Sequence, residues 1–178
     1  MARILGTIAS SFEVAGDYDS IATTSLSSSA ASITFSSIPA TYTHLQVRAI
    51  ILGTGSISYQ PMTFNNDTGL NYTNHGMTAS GSGTPTAFGE ANHGFISHQA
   101  AVSTNPFAMV MEILDYANTN KYKTVRTLGG YDANGSGILT FRSGLWMNTN
   151  AITTIKIEPN TNNYAQYSHF ALYGIRSA

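Results

Sequence analysis

The run KYKTVR at residues 121–126 begins a series of four β-patterned segments in the last third of the chain. GILTFRSGLW follows at 137–146, AITTIKI at 151–157 and YSHFALYGI at 167–175. Only turn residues separate the four segments, which is the pattern of consecutive antiparallel strands. Because the last segment ends close to residue 178, we expect the C-terminal strand to complete the sheet, with nothing left for a second domain. This arrangement favours a scaffold or binding unit over an enzyme.

Strand patterns also occur throughout the first two thirds of the chain. They lie at 20–26, 32–36, 44–52, 61–65, 94–97 and 107–116. The segment at 107–116 fits a helix or a strand by periodicity, and its β neighbours favour a strand. Sustained heptads are missing, and strands do not alternate with helical segments. Eight to ten short strands therefore predict an all-β fold, a single-domain antiparallel β-sandwich with the topology of a jelly roll.

Two segments stand apart from the expected sandwich, which we place at 18–178. Residues 1–17 are predicted to form an N-terminal arm or a first strand, since their apolar run is too short and too interrupted for a signal peptide. Residues 66–91 begin with the turn sequence Asn66-Asp67-Thr68-Gly69 and include a Ser/Gly-rich stretch at 80–85. We therefore expect 66–91 to be a long loop and a contacting surface.

The composition indicates a neutral, hydroxyl-rich surface. Charged residues make up 10% of the chain and the formal net charge is −1, whereas the hydrophobic fraction of 42% argues against disorder. Serine, threonine and asparagine take the place of charged residues, as suits exposed strand faces and turns. Such a surface suits close packing in an assembly or contact with sugars. It gives no electrostatic reason to expect binding of nucleic acid or of a membrane.

Catalytic and metal-binding patterns are weak. Five histidines, at positions 44, 75, 93, 98 and 169, show no ligand spacing, and cysteine is absent from the sequence. The segment 132–137 resembles the start of a calcium loop but lacks the closing glutamate. Glu112 and Asp115 are three apart in an apolar run, so on a strand they would face opposite ways. We expect no enzyme activity, no cofactor and no metal.

Tyrosines are frequent beside polar segments, and their rings could stack on sugars, anchor a protein interface or pack in the core. The one tryptophan, Trp146, ends an apolar run and is predicted to lie in the core.

Four segments together resemble a group of small β-rich virion proteins of tailed bacteriophages. They are SIPATYTHLQVR at 37–48, NNDTGLNYTNH at 65–75, YANTNKYK at 116–123 and FALYGI at 170–175. The resemblance spans about residues 18–176 and implies a structural part of the particle without catalytic residues. Similar sequences often carry glycine at the position of Asn66.

The resemblance implies a location in the virion, and we expect a capsid decoration (cement) protein. Its partners would be the major capsid protein and copies of itself, in homo-oligomers such as trimers. The expected contact residues are Arg3, Ile4, Leu5, Phe12, Asp67, Tyr72, His75 and Phe88. One alternative is a tail-fibre or baseplate adhesin that binds a host glycan. A second is a free carbohydrate-binding module.

Overall fold

A computed structural model describes residues 17–99 and 105–176. The described chain consists of strands and their connections, and it contains no helix. The strands are β1 (Tyr18–Ser25), β2 (Ile33–Phe35), β3 (His44–Ile51), β4 (Tyr59–Phe64), β5 (Tyr72–Ser80), β6 (Thr86–His93), β7 (Ile96–Gln99), β8 (Phe107–Leu114), β9 (Lys123–Asp132), β10 (Gly137–Trp146), β11 (Ile155–Ile157) and β12 (His169–Ile175).

The strands form two antiparallel sheets that pack face to face. The larger sheet has eight strands in the order β1-β12-β3-β8-β9-β10-β5-β6, and the smaller has four in the order β2-β11-β4-β7. The predicted all-β sandwich is therefore confirmed, while its jelly-roll topology stays a prediction. Of the predicted arm at 1–17, all but Asp17 lies outside the described residues.

One hydrophobic core lies between the two sheets. On β8, Phe107, Met109, Met111 and Ile113 are buried, while the residues between them are exposed or half-buried. The short strands β2, β4 and β11 contribute isoleucine, methionine and phenylalanine from the opposite side. Trp146 lies in this core, as the sequence predicts.

The prediction of a long loop at 66–91 is wrong, because most of this segment forms the hairpin of β5 and β6. These two strands also account for the difference between the ten segments predicted as strands and the twelve observed. Strand β5 pairs along its whole length with β10, so hydrogen bonds from a distant part of the chain fix its conformation. At Gly76 a Cβ atom would come within 2.8 Å of the Arg142 side chain and 2.9 Å of the Phe88 ring. Only glycine permits this close approach.

A turn connects β4 to β5, as the sequence predicts for Asn66-Asp67-Thr68-Gly69. Asn65 and Asn66 have φ angles of 52° and 57°, and the Asp67 N–H donates to the Phe64 carbonyl oxygen at 2.8 Å. Asparagine adopts left-handed backbone more readily than other non-glycine residues, which explains its use at both positions.

Candidate interaction surface

The outer face of the eight-stranded sheet carries exposed apolar residues on five neighbouring strands. Met77, Leu128, Leu139 and Phe141 are 51%, 54%, 61% and 50% exposed. We call the whole set the apolar band, and its members are Ile50, Met77, Ala79, Ala108, Val110, Leu128, Gly130, Leu139 and Phe141. An antiparallel sheet with one face on the core normally has a polar opposite face, so the band is unusual.

Strand register arranges the band in two adjacent rows. The first row joins Val110, Leu128, Phe141 and Met77, each directly paired with the next across the sheet. The second row lies two residues along each strand and joins Ile50, Ala108, Gly130, Leu139 and Ala79 in the same way. On β8, β9 and β5 a large side chain in the first row therefore stands beside a small residue in the second.

The small residues of the second row leave a trough in the surface. An open hollow of about 740 Å³ is lined by Ala79, Ala108, Gly130 and Leu139, among others. A second hollow of about 230 Å³ lies beside Met77 and Phe141. The outer face is thus uneven, with apolar side chains that protrude next to apolar depressions.

The size of the band lies at the lower end of the range for the largest apolar patch on a monomeric protein. Five strands spaced about 4.8 Å apart and two rows about 6.8 Å apart cover roughly 24 Å by 14 Å, or about 330 Å² in projection. The largest apolar patch on a monomeric protein is about 300–600 Å² and often functional. The polar residues beyond the first row include Glu112 and Arg126, whose side chains pair at 3.1 Å. Two other charged residues border the band, Arg48 opposite Val110 and Asp132 beyond Gly130, and neither is in an ion pair among the described residues.

Sequence patterns did not single out the band. The run at 137–146 has apolar residues on both faces of the strand, so the sequence alone does not show that Leu139 and Phe141 share an exposed face. The available signal was this two-sided apolarity in a sequence without long helical patterns.

Asp67, one of the predicted contact residues, is engaged within its own chain. Its carboxylate accepts hydrogen bonds from the Gly69 N–H at 2.9 Å, the Asn71 amide at 2.9 Å and the Trp146 indole N–H at 2.8 Å. Burial alone would raise the pKa of Asp67, but these bonds and one from Asn148 outweigh it and hold the pKa below its ordinary value. Asp67 therefore anchors the β4–β5 turn to the core.

Tyr72 is completely buried, so its prediction as a contact residue is wrong. Its ring stacks on Trp146 with centroids 6.2 Å apart. Its hydroxyl donates to the Asp67 carbonyl oxygen at 3.0 Å and accepts from the Phe64 N–H at 3.1 Å. Burial raises the pKa of Tyr72 to about 12. From the sequence, each tyrosine could lie in the core or on the surface. Tyr72 lies in the core, where it packs against Trp146.

The remaining predicted contact residues have different positions. His75 is exposed on the outer face and lines the smaller hollow, next to the apolar band. Phe88 is half-buried on the inner side of β6, where the Arg142 guanidinium lies 4.6 Å from its ring centre. Arg3, Ile4, Leu5 and Phe12 lie outside the described residues. Of the predicted contact residues that the structure describes, only His75 adjoins the band.

A polar layer lies between the sheets near β7. Arg142 donates to the Ser97 hydroxyl at 3.1 Å and to the Gln99 side-chain oxygen at 2.5 Å. His98 is fully buried, with Nδ1 3.0 Å from the Thr127 hydroxyl. Burial, reinforced by the charge of Arg142, lowers the pKa of His98 to about 3. The histidine is therefore neutral at pH 7 and enclosed, which suits a structural role better than proton transfer.

The acidic residues considered for catalysis are used in separate ion pairs. Glu112 pairs with Arg126, and Asp115 pairs with Lys121 at 2.5 Å. Within residues 17–99 and 105–176, no group of three or more histidine or acidic side chains could hold a metal ion. In the same residues, no helix has the length and hydrophobicity needed to span a membrane.

Comparison with known proteins adds no relative. No protein-family model matches this chain, and a search of curated proteins finds no significant match. The apolar band is therefore the feature of the described residues that bears most directly on function.

Proposed function

We propose that this chain is a non-enzymatic structural protein of a tailed-bacteriophage virion, and specifically a capsid decoration protein. The observation that carries the proposal is the apolar band on the outer face of the eight-stranded sheet. Leu128, Leu139 and Phe141 expose half or more of their surface there. Such a surface gains free energy when another protein covers it, at about 25 cal/mol per Å² of apolar area removed from water.

The rest of the surface supports a role in close packing. The chain has few charged residues and a formal net charge of −1, so neighbouring copies repel one another weakly. The ion pairs Glu112–Arg126 and Lys121–Asp115 further reduce unpaired charge on the outer side of the sheet and its turns.

The proposed mechanism is mechanical. Subunits bind across joints between major capsid proteins, with copies of the chain also in contact with one another. Because a protein that binds only the assembled shell stabilises that shell by mass action, no chemistry is needed. Packaged DNA presses outward on the shell, and the added contacts oppose that pressure.

Copy number tests the proposal. Gel densitometry of purified particles should give hundreds of copies of the chain per particle, because decoration proteins line the shell. A few copies per particle would contradict the proposal. Together with strong signals on a glycan array, that result would favour the adhesin that the sequence leaves open as an alternative.

A further inference from the structure

The outer face of the eight-stranded sheet is partly self-complementary in shape. On β8, β9 and β5 the pairs of neighbouring outward positions are Val110 with Ala108, Leu128 with Gly130, and Met77 with Ala79. In each pair the large residue belongs to one row of the apolar band and the small one to the other. On these three strands a protruding residue thus lies about 6.8 Å from a small one, which leaves a depression in the second row, although Leu139 and Ile50 of that row protrude.

We propose that the apolar band binds a second copy of this chain, face to face, about a twofold axis. This inference deepens the proposed function and rests on its claim that the band is a contact surface. The axis lies between the two rows and runs perpendicular to the strands. Rotation about it places Leu128 of one copy over Gly130 of the other, and Val110 over Ala108. The same patch serves both subunits, as in most symmetric dimers.

Two strands of the band lack this large-over-small match, and on β3 the rotation places Ile50 of one copy over Arg48 of the other. On β10 the two outward positions are Phe141 and Leu139, both large, and they fill the space between sheets that stack about 10 Å apart. The twist of each sheet turns the strands on either side of β9 away from those of the other copy, so the match is best at the centre, on β9.

Charges at the two ends of the band agree with the same axis. Arg126 lies two residues before Leu128 on β9, and Asp132 lies two residues after Gly130, both exposed. Rotation brings Arg126 of one copy toward Asp132 of the other at each end. An axis parallel to the strands would instead bring like charges together, which costs free energy.

The area also suits a dimer. A specific interface covers about 800 Å² on each partner, with an apolar centre and a polar rim. The band supplies about 330 Å² of apolar centre in projection. Polar side chains of the neighbouring row, such as Ser143 and His75, are placed to form the rim.

Sedimentation equilibrium of the full chain tests the pairing. The wild type should sediment as a dimer of twice 19.0 kDa. Leu128→Glu should weaken dimerisation by about 100-fold, since it places an unpaired charge at the interface centre. Thr124→Glu is the matched control, because Thr124 is exposed on the same face of the same strand, outside the band. It should leave the dimer intact, and circular dichroism should show both variants folded.

A second variant distinguishes dimerisation by complementary shape from nonspecific apolar association. Ala108→Phe adds apolar area to the band but fills the depressed row, so it should also weaken the dimer by at least 10-fold. Tighter association of this variant, a monomeric or trimeric wild type, or a dimer unaffected by Leu128→Glu would each overturn the proposal. Sedimentation of the isolated chain tests the pairing alone, whereas copy number on particles tests the decoration role, so the two can fail separately.

Discussion

Replacement of His98 by asparagine should make the stability of this protein less sensitive to acid. His98 is fully buried, and its pKa falls from 6.5 to about 3 because burial and the nearby Arg142 disfavour the imidazolium. The His98 imidazole therefore becomes protonated near pH 6.5 in the unfolded chain, but only near pH 3 in the folded chain. In this window the unfolded state holds more protons, so stability is complete above pH 6.5 and declines as the pH falls.

The magnitude follows from the shift. Each pH unit inside the window costs about 1.4 kcal/mol, so His98 removes about 2 kcal/mol of unfolding free energy between pH 7 and pH 5. Asparagine has no such titration, and its amide can retain a hydrogen bond near the position of Nδ1 to the Thr127 hydroxyl. The variant should be less stable than the wild type at pH 7, and the difference should shrink by about 2 kcal/mol at pH 5.

Urea denaturation at half-unit pH steps measures the effect, with His75→Asn as the control. His75 is exposed on β5, so its variant should follow the wild-type pH dependence closely. If the wild-type and His98→Asn curves run parallel between pH 7 and pH 5, the argument that His98 is buried neutral is refuted.

Three further substitutions test the contacts that hold the sheet edges and turns. Asp67→Ala should lower the unfolding free energy by about 3 kcal/mol, since the buried Trp146 N–H loses its acceptor. Thermal and urea unfolding measure this loss, and a loss below about 1 kcal/mol would contradict the prediction. The pKa of Asp67 lies below its usual value of 3.8, so the stability that Asp67 contributes is present above pH 3.8 and is lost as the pH falls through the lower pKa of the folded state. Asp67→Asn should therefore lessen the loss of unfolding free energy in acid. Lys123→Met should lower the unfolding free energy by about 3 kcal/mol, because the buried ammonium donates to the carbonyl oxygens of Asn118 and Lys121 in the β8–β9 turn and of Thr149 after β10. An unchanged urea midpoint would argue against this role.

The alternating strands of the core were predictable from the sequence. At 107–116 the neighbouring strand patterns favoured a strand, which β8 confirms, and Trp146 at the end of an apolar run lies in the core as predicted. Short-range patterns suffice in such cases, because alternation encodes which residues face inward.

The hairpin of β5 and β6 was missed because its sequence is rich in glycine, serine, threonine and asparagine. Its strands are specified by pairing with β10, where Met77 lies opposite Phe141. Such long-range pairing overrides local propensity and leaves little trace in a short window. The same pairing placed Tyr72 against Trp146, which turned a predicted surface residue into a core residue.

The apolar band was missed for a related reason. Leu128, Leu139 and Phe141 are recognisable as apolar in the sequence, but the face they occupy follows from strand order and register. Apolar residues on both sides of a strand predict burial on both sides, and in this sheet one side has no covering layer among the described residues.

The central claim is that the chain functions by binding other proteins through the apolar band. Retention of the chain on virus particles tests this claim most directly. Virions should be assembled with the wild type, with Leu128→Glu and with Thr124→Glu, and the copies per particle counted by gel densitometry. We predict hundreds of copies for the wild type and for Thr124→Glu, and a large loss for Leu128→Glu. A few copies of the wild type, or equal retention of all three chains, would contradict the account.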